Sequence, residues 1–514
     1  MAHITVAATH TKELPQLLLS HAGWAAPAAA GEAAVTGQLA VCAGSMEHAG
    51  FLDGVENAIS TDAAVLAILL LPDENGNEVA TDRIQALADG GARCEVVDGR
   101  SPLRDAIARA AGIALEERSI TVVAIPISQL ALPELAGPFG LTPRTTVSPP
   151  ARRVPHADDV SRVALALSAA RNVVLVAGGG TADAHDEVLA LACTLQAPIA
   201  HTLRGKENLE WGNPYDVGLA GDSGHSASRE AIARADAVVL LGTDFAYPQL
   251  IPPSATVVQI DRDARRIGRR TAVHFALVGD VGGTLTALTS QLSLRTDKAF
   301  MVESTARRRM EDDRLRSEAV TAAFDAENVA ALLSDVAGSD AVFAVDMGPE
   351  WHRGARHFRT NGSRRVIGSM RHGALADAIA RAAGAQSSDV ERQVIALVGL
   401  RGAAQLGERL SALARLGLPV KTVLLNPCPA TTWLSDDLSG IDVTHLNLFS
   451  DARSALTRLL ASRGTAAVEI ALGVPDQRDR NFPLRKLTTD FTNDLCSRPA
   501  GPRRSDHPMK GRTS

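Results

Sequence analysis

Glycine and acidic residues follow three apolar runs in the middle of the chain. The residues in question are Gly242, Thr243, Asp244, Asp261, Asp263 and Asp280. In open α/β sheets, ligands bind outside the carboxyl ends of the strands. Carboxylates placed there can accept hydrogen bonds from ribose hydroxyls, and glycines leave room for a pyrophosphate. The alternative is that each aspartate only caps a helix, and the spacing by itself leaves both interpretations open.

A glycine-rich turn joins a predicted strand to a predicted helix in residues 173–191, VVLVAGGGTADAHDEVLAL. Gly178, Gly179 and Gly180 allow the backbone to turn tightly and to approach a ligand. The free N–H groups at the start of the following helix attract anions. Because such turns are as common in plain α/β architecture, this one alone does not predict a nucleotide site.

Ten apolar runs alternate with Ala-rich helical stretches and must position these residues. The predicted strands are Gln38–Cys42, Val65–Leu71, Thr121–Ile125, Val173–Val176, Ala237–Leu241, Thr256–Ile260, Ala341–Val345, Val394–Val398, Val420–Leu425 and Ala467–Ile470. Most are continuously apolar, which is typical of parallel strands covered by helices on both faces. The predicted fold class is therefore α/β, with doubly wound parallel sheets.

Changes in composition predict the domain organisation. Residues 132–158 contain six prolines and no apolar periodicity, which favours an extended linker. The predicted segments are an N-terminal domain at 1–134, a linker at 135–158, a central domain at 159–330, a C-terminal domain at 331–474 and a polar, partly disordered tail at 475–514.

Composition and charge argue against several classes of protein. Hydrophobic residues make up 46% of the chain, enough for large aliphatic cores. The formal net charge of -6 comes from mixed acids and bases, so no nucleic-acid-binding face is predicted. The longest apolar run, residues 63–71, is too short to span a membrane. The basic tail lacks an apolar face, so membrane contact is not expected either.

The cysteine pattern bears on localisation. The five cysteines are widely spaced and form no Cys-x-x-Cys pair, so neither a zinc site nor a disulfide framework is expected. The N-terminus also lacks the pattern of a signal peptide. Together these features predict a protein of the reducing cytoplasm.

The central segment closely resembles the flavin-binding domain of a known family. APIAHTLRGKENLEWGNPYDVGLAG (197–221), followed by ADAVVLLGTDFAYPQL and VVQIDRDARRIGRRTAVHFALVGDVGGTL, is similar to the central domain of quinone-dependent pyruvate dehydrogenases and pyruvate oxidases. Those enzymes use thiamine diphosphate and FAD, and the similarity covers residues 160–290. The resemblance implies an FAD-type site. The implied cofactor-binding residues are Arg204, Gly205, Lys206, Gly242, Thr243, Asp244, Asp261, Asp263, Asp280 and Val281.

The C-terminal segment resembles the diphosphate-binding domain of the same family, with both expected metal ligands replaced. The family has Gly-Asp-Gly and, about one βα unit later, Asn-Asn, where this chain reads Gly399-Leu400-Arg401 and Asn426-Pro427. A magnesium ion needs oxygen ligands, and the side chains of Leu400 and Pro427 have none. We therefore expect no metal site and no bound thiamine diphosphate or magnesium. The alternative is that Arg401 replaces the metal as a fixed cation beside the diphosphate.

The N-terminal segment keeps a family histidine and loses the family's catalytic glutamate. That glutamate activates thiamine diphosphate by holding a proton on its pyrimidine ring. In this chain His21 is followed by Ala22 and Gly23 in place of two glutamates, so no catalytic residue is expected. The resemblance thus implies three domains of the thiamine diphosphate enzyme type, of which the first is truncated.

Three hypotheses for function follow. The first is a degenerate protein like pyruvate oxidase or pyruvate dehydrogenase, a pseudoenzyme whose flavin-nucleotide-type central domain serves binding, regulation or assembly. The second is an active oxidoreductase that decarboxylates pyruvate or another 2-oxo acid with thiamine diphosphate and FAD. The third is a structural protein with an empty central domain. The resemblance also implies a homo-oligomer, dimer or tetramer, or a hetero-oligomer with an active relative.

Overall fold

The computed structural model of the chain contains three parallel sheets, each flanked by helices. The described residues are 17, 19, 21–48, 50–59, 61, 63–72, 77–98, 102–131, 153–319, 325–346, 348–368, 377–428, 431–446 and 451–472. The predicted tail at 475–514 and residues 135–152 of the predicted linker lie outside them.

The N-terminal sheet has four parallel strands in the order β1-β2-β4-β3. The strands are β1 (Ala40–Ser45), β2 (Val65–Leu71), β3 (Arg93–Val96) and β4 (Ile120–Pro126). The helices are α1 (Ala25–Thr36), α2 (Phe51–Ala58), α3 (Asn77–Gly90) and α4 (Leu103–Glu117). β2 and β4 are almost wholly aliphatic because apolar cores cover both of their faces.

The central sheet has six parallel strands in the order β10-β9-β8-β5-β6-β7. The strands are β5 (Val173–Ala177), β6 (Ile199–His201), β7 (Asp216–Leu219), β8 (Ala237–Leu241), β9 (Thr256–Asp261) and β10 (Phe275–Val278). The helices are α5 (Ala157–Ala169), α6 (His185–Leu195), α7 (Leu203–Leu209), α8 (Ser226–Ala233), α9 (Val281–Thr289) and the long α10 (Ala299–Ala319). The strand order reverses at β5, and ligands of open α/β sheets bind beside such a reversal.

The C-terminal sheet also has six parallel strands, in the order β12-β11-β13-β14-β16-β15. The strands are β11 (Val342–Val345), β12 (Arg365–Gly368), β13 (Val394–Val398), β14 (Lys421–Asn426), β15 (Asp442–Leu446) and β16 (Ala466–Ala471). The helices are α11 (Ala326–Val336), α12 (Pro349–His352), α13 (Asp377–Ser388), α14 (Leu400–Ala403), α15 (Leu406–Arg415) and α16 (Ala452–Ala461). α11 begins before the predicted start at residue 331, and its Val329 and Leu333 pack in the core of this sheet.

The architecture confirms the predicted fold class of three parallel sheets with flanking helices. Each of the ten predicted strands overlaps a strand of the structure. Six further strands, β3, β6, β7, β10, β12 and β15, were not predicted. Five of these lie at sheet edges, and the sixth, β6, has only three residues. Edge strands are short and partly exposed, so they lack the continuous apolar pattern that marks a central strand.

Two glycine-containing helices bring the N-terminal and C-terminal sheets together. α1 packs against α13, and an added Cβ at Gly31 would lie 2.2 Å from the carbonyl oxygen of Arg381. An added Cβ at Gly384 would lie only 1.8 Å from the carbonyl oxygen of Ala28. The two helix backbones can approach this closely because Gly31 and Gly384 have no side chain.

Three further observations concern the described part of the chain. No helix there is long and apolar enough to cross a membrane, and no group of three or more histidine, cysteine or acidic side chains is placed to hold a metal ion. Cys428 is disulfide-bonded, although the cysteine spacing predicts no disulfide framework, whereas Cys42, Cys94 and Cys193 are free thiols. The cytoplasmic localisation stays a prediction.

Candidate functional site

Leu400 lies at the carboxyl end of β13, where the resemblance implies a metal-binding aspartate. Its side chain is only 3% exposed. It belongs to an apolar core that also contains Leu406, Leu434 and, from the N-terminal part of the chain, Trp24. A divalent cation requires a shell of oxygen ligands. A core built from leucine and tryptophan offers none, so this position does not fit a metal-bound diphosphate.

Hydrogen bonds hold the loop that follows β14 against the carboxyl edge of the C-terminal sheet. The Asn426 amide donates to the buried Glu469 carboxylate on β16, with the two side-chain atoms 2.7 Å apart. The same carboxylate accepts the backbone N–H of Trp433 at 3.1 Å and that of Leu434 at 2.9 Å. Pro427 lies inside this loop. Asn426 and Glu469 therefore hold the loop on the sheet, and Leu434 packs in the apolar core around Leu400.

Two buried carboxylates remain at the same edge of the C-terminal sheet. Asp346, which follows β11, accepts the Ala378 N–H at the start of α13 through one oxygen, 2.8 Å away. Burial, together with the charges of Asp377 and Glu350, raises the pKa of Asp346 to about 7, although the Ala378 N–H and the Arg409 charge act to lower it. Sequence reasoning missed this group, and the only available signal was an acid directly after an apolar run.

The second buried carboxylate joins the C-terminal and N-terminal parts of the chain. Asp377 lies 2.5 Å from Nε of Arg381, one turn later on α13. The Arg381 guanidinium, only 1% exposed, donates to the side-chain oxygen of Asn57 at 3.1 Å. Because Asn57 lies on α2, this pair links the C-terminal sheet with the N-terminal one.

Ala22 and Gly23, which replace the family's glutamates, lie in a short 3₁₀ turn before α1. Gly23 faces α2, where an added Cβ at Gly54 would lie 2.4 Å from the Gly23 carbonyl oxygen. An added Cβ at Gly23 itself would lie 3.1 Å from the Gly50 carbonyl oxygen. His21 contacts the Glu408 carboxylate through Nε2 at 3.1 Å. A longer side chain at position 23 would therefore require this contact between turn and helix to open.

The glycine turn after β5 packs against the turn after β8. The Gly178 N–H donates to the Leu241 carbonyl at 2.8 Å, and the Gly180 N–H donates to the Gly242 carbonyl at 3.1 Å. An added Cβ at Gly178 would lie 2.5 Å from that same Gly242 oxygen, and Gly242 has φ +57. These glycines allow two turns to touch, and the N–H groups of Gly178 and Gly180 are already used within the protein.

The carboxyl edge of the central sheet carries ion pairs between aspartate and arginine. Asp244, after β8, lies 2.9 Å from Nε of Arg269 and 3.1 Å from Nε of Arg270. Asp263, after β9, lies 2.8 Å from Nε of Arg265. Burial alone would raise the pKa of Asp263, but the hydrogen bonds and charge of Arg265 lower it below its ordinary value. Carboxylates and guanidinium groups thus alternate along this edge.

The remaining predicted residues of this edge have clear local roles. Asp280 caps α9 by accepting the Gly283 N–H at 3.1 Å, and Val281 is buried in the core beneath it. The Asp261 carboxylate accepts the Asp263 N–H at 3.0 Å. Thr243 accepts the Phe245 N–H at 3.1 Å. Because β8, β9 and β10 are neighbours, these groups share one edge, as the sequence predicted from strand ends.

Lys206, by contrast, lies at the junction with the C-terminal sheet. Its side chain is fully buried, forms an ion pair with Glu210 one turn later, and donates to the Arg356 carbonyl at 3.1 Å. Gly205 packs against the end of β5, where an added Cβ would lie 2.2 Å from the Ala177 carbonyl oxygen. The ammonium of Lys206 thus serves the contact between the two sheets, and Arg204, two residues earlier on α7, is half-buried.

Two segments of the chain match known protein families. Residues 160–288 match the central domain of thiamine pyrophosphate enzymes, and residues 347–427 match their C-terminal TPP binding domain. An uncharacterized 42.6 kDa protein of Pseudomonas amyloderamosa is 36% identical over 287 residues, covering 55% of this chain and 72% of that protein.

Two named relatives are more distant. The pyruvate oxidase of Lactiplantibacillus plantarum is 25% identical over 416 residues, covering 78% of this chain and 68% of the oxidase. A Bacillus subtilis protein whose name describes it as thiamine pyrophosphate-containing is 28% identical over 418 residues, covering 79% of this chain and 72% of that protein.

Proposed function

Since the chain belongs to the thiamine pyrophosphate enzyme family, we propose that it is a member that has lost thiamine diphosphate catalysis. In this proposal its central part still binds a flavin nucleotide and serves a binding, regulatory or assembly role. The observation that carries the proposal is the environment of Leu400. A family site for a metal-bound diphosphate is replaced by a core in which Leu400, Leu434 and Trp24 pack together.

The packing around Leu400 supports loss of catalysis more strongly than the substitution alone. Returning an aspartate to position 400 would place a carboxylate in an apolar core, where an unpaired charge is costly. The tight contact of Gly23 with Gly54 likewise leaves little room for an activating glutamate. Two separate requirements of the chemistry are thus unmet at places far apart in the sequence.

The flavin part of the proposal depends on the chemistry of the central edge. Its carboxylates suit ribose hydroxyls, and its arginines suit phosphate oxygens. Asp263 with Arg265 and Asp244 with Arg269 are the pairs best placed to hold the adenosine diphosphate half of FAD. When bound, the flavin would supply redox chemistry. In its absence each carboxylate keeps an arginine partner, so the edge is stable when empty.

Calorimetry and the visible spectrum of the purified full chain test both parts. We expect no heat from thiamine diphosphate with magnesium, no turnover of pyruvate, and saturable binding of FAD. Replacing one hydrogen-bonding carboxylate, in Asp263→Ala, should weaken FAD binding about tenfold, whereas Asp159→Ala on α5 should leave it unchanged. Binding of thiamine diphosphate or turnover of pyruvate would overturn the loss of catalysis. Absence of FAD binding would overturn the flavin role.

The assembly role extends this proposal to partners. The protein would form a dimer or tetramer with itself, or join an active relative as a non-catalytic subunit. Mass measurement by light scattering, alone and after mixing with a catalytically active family member, distinguishes these arrangements from a monomer.

A further inference from the structure

Ser223 and His352, which are 129 residues apart, meet between the central and C-terminal sheets. The Ser223 hydroxyl and Nδ1 of His352 are in hydrogen-bond contact. Ser223 lies in the loop after β7, and His352 ends α12, which follows β11. Both residues therefore come from the carboxyl ends of parallel strands, where α/β proteins place their chemistry. Most serine hydroxyls bond to backbone groups that are nearby in sequence. This hydrogen bond instead joins two side chains that only the tertiary structure brings together.

The environment of His352 suits a general base. Burial lowers the pKa of His352, while the charge of Asp222 opposes that effect. The imidazole is therefore neutral at neutral pH, and with its proton on Nε2 it can accept a proton from Ser223 at Nδ1. Asp222, exposed beside Ser223, would stabilise the imidazolium formed when that proton is transferred.

Ser223 is held by a tight backbone turn. The Gly224 N–H donates to the Gly221 carbonyl at 3.0 Å, and Gly221 has φ +126. An added Cβ at Gly221 would lie 2.6 Å from the Tyr247 ring, and one at Gly224 would lie 2.2 Å from the Leu219 carbonyl oxygen. The turn can therefore carry side chains only at the two positions between these glycines, Asp222 and Ser223.

A neighbouring loop adopts a backbone conformation that side chains rarely take. Phe245, in the turn after β8, has φ +41 and is only 1% exposed. Its ring contacts that of Tyr247 edge to face, and Tyr247 lies against Gly221. Strained backbone of this kind clusters at functional sites, and this strained turn packs beside the turn that bears Ser223.

We propose that Ser223 is the nucleophile of a second site, one that needs no cofactor and acts on carboxylic esters. Ser223 Oγ attacks the ester carbonyl carbon as Nδ1 of His352 takes the hydroxyl proton. The bond from carbonyl carbon to leaving oxygen then breaks, and His352 returns the proton to the departing alcohol. Water, deprotonated by His352, hydrolyses the acyl-serine and restores both side chains. The reaction involves no oxidation or reduction. The proposed site is independent of the proposed flavin role.

The test uses the full-length protein without added cofactors. p-Nitrophenyl acetate supplies the ester, and a fluorophosphonate probe reports the nucleophile by forming a covalent adduct located by peptide mass spectrometry. We expect the adduct on Ser223 and catalytic release of p-nitrophenolate. Ser223→Ala and His352→Asn should each lower the rate of release about 100-fold. Ser226→Ala changes an exposed serine at the start of α8 whose hydroxyl donates to Glu311, and it should leave the rate unchanged.

A second measurement separates catalysis from folding. Ser223→Cys keeps a nucleophile at the same place, and His352 should raise its thiolate fraction. Alkylation of Cys at this position by iodoacetamide, followed on its own peptide, should be about tenfold faster than in the double variant that also carries His352→Asn. Fluorophosphonate labelling that avoids Ser223, or alkylation rates equal in the two variants, would overturn the proposal.

Discussion

The carboxyl edges of the central and C-terminal sheets share one backbone arrangement and differ in their chemistry. At the central edge, Asp244 and Asp263 stand among arginines with which they form ion pairs. At the C-terminal edge, Leu400 and Leu434 are buried in an apolar core. Both edges come from parallel strands of similar length, so the difference lies in the side chains and not in the fold.

The contrast bears on how a binding edge could persist without its ligand. A buried carboxylate or amide without a metal partner has the full cost of desolvation. Leucine and proline side chains carry no such cost, and the loop after β14 is hydrogen-bonded to Glu469 on the sheet. Carboxylates paired with arginine avoid the cost as well, because each keeps a partner when no ligand is bound. Under the proposed function, the C-terminal edge has lost its ligand site and the central edge has kept one.

The largest expected effect comes from returning the family's aspartate to the filled edge. Leu400→Asp places a carboxylate in an apolar core and should lower the free energy of unfolding by about 3 kcal/mol or more. Urea denaturation measures the change. Leu165→Asp, at a leucine that is 73% exposed, is the matched control and should change stability by less than about 0.5 kcal/mol. Equal effects of the two substitutions would mean that Leu400 is not packed in solution.

The buried Asp346 gives the C-terminal edge a dependence on pH. Its pKa is raised to about 7, whereas an unfolded aspartate titrates near 4. The native state therefore binds the extra proton in this window, and stability is lost as pH rises from about 4 to about 7. We expect a fall of about 2 kcal/mol in the free energy of unfolding between pH 5 and pH 7.

Asp346→Asn cannot titrate and should flatten that slope, while Asp183→Asn, an exposed acid, should not. Urea denaturation at a series of pH values provides the comparison. Parallel slopes for Asp346→Asn and the unchanged protein would show that the native carboxyl is ionised throughout this range.

The contact between α1 and α13 closes the C-terminal edge from the N-terminal side, and a single methyl group tests it. Gly384→Ala gains helix propensity of about 1 kcal/mol but places Cβ against the Ala28 backbone. We expect a net loss of about 1–2 kcal/mol, measured by thermal unfolding. Gly407→Ala on α15, where the nearest atom would be 3.5 Å away, should instead raise stability. Stabilisation by both substitutions would contradict the close approach of α1 and α13.

The smallest effect is expected at the central edge. Asp280→Ala removes the cap of α9 and should lower the free energy of unfolding by about 1 kcal/mol. Asp183→Ala, an exposed acid that caps no helix in the described part of the chain, serves as the control in the same urea titration. A loss above about 3 kcal/mol would indicate that Asp280 has a role beyond capping.

The strands that the sequence predicted are those covered on both faces. β2 and β8 are continuous aliphatic runs, and this composition by itself predicts a strand that is buried on both faces. β15 was missed because its residues DVTHL are mostly polar and lie at a sheet edge. β7 was missed because it contains Gly218 at a positive φ. In both cases pairing with a neighbouring strand decides the structure, and pairing leaves little trace in a local sequence window.

The residues of the candidate sites also divide into those that the local sequence predicts and those that only tertiary contacts reveal. The strand-end aspartates of the central sheet were predicted because a short polar run after an apolar one marks a strand end. Glu469 and Asp346 act through partners that are distant in sequence. Ser223 and His352 come from different sheets, and no local spacing indicates that they meet.

The sequence by itself determined that the side chains at positions 400 and 427 offer no oxygen ligand to a cation, since that depends only on the atoms of each side chain. It also determined the parallel α/β class, since burial on both faces dictates which residues a strand can contain. Only the tertiary structure decided that Trp24 and Leu434 fill the space around Leu400, and that Ser223 touches His352. Those facts depend on which distant surfaces pack together, and packing is a property of the whole chain.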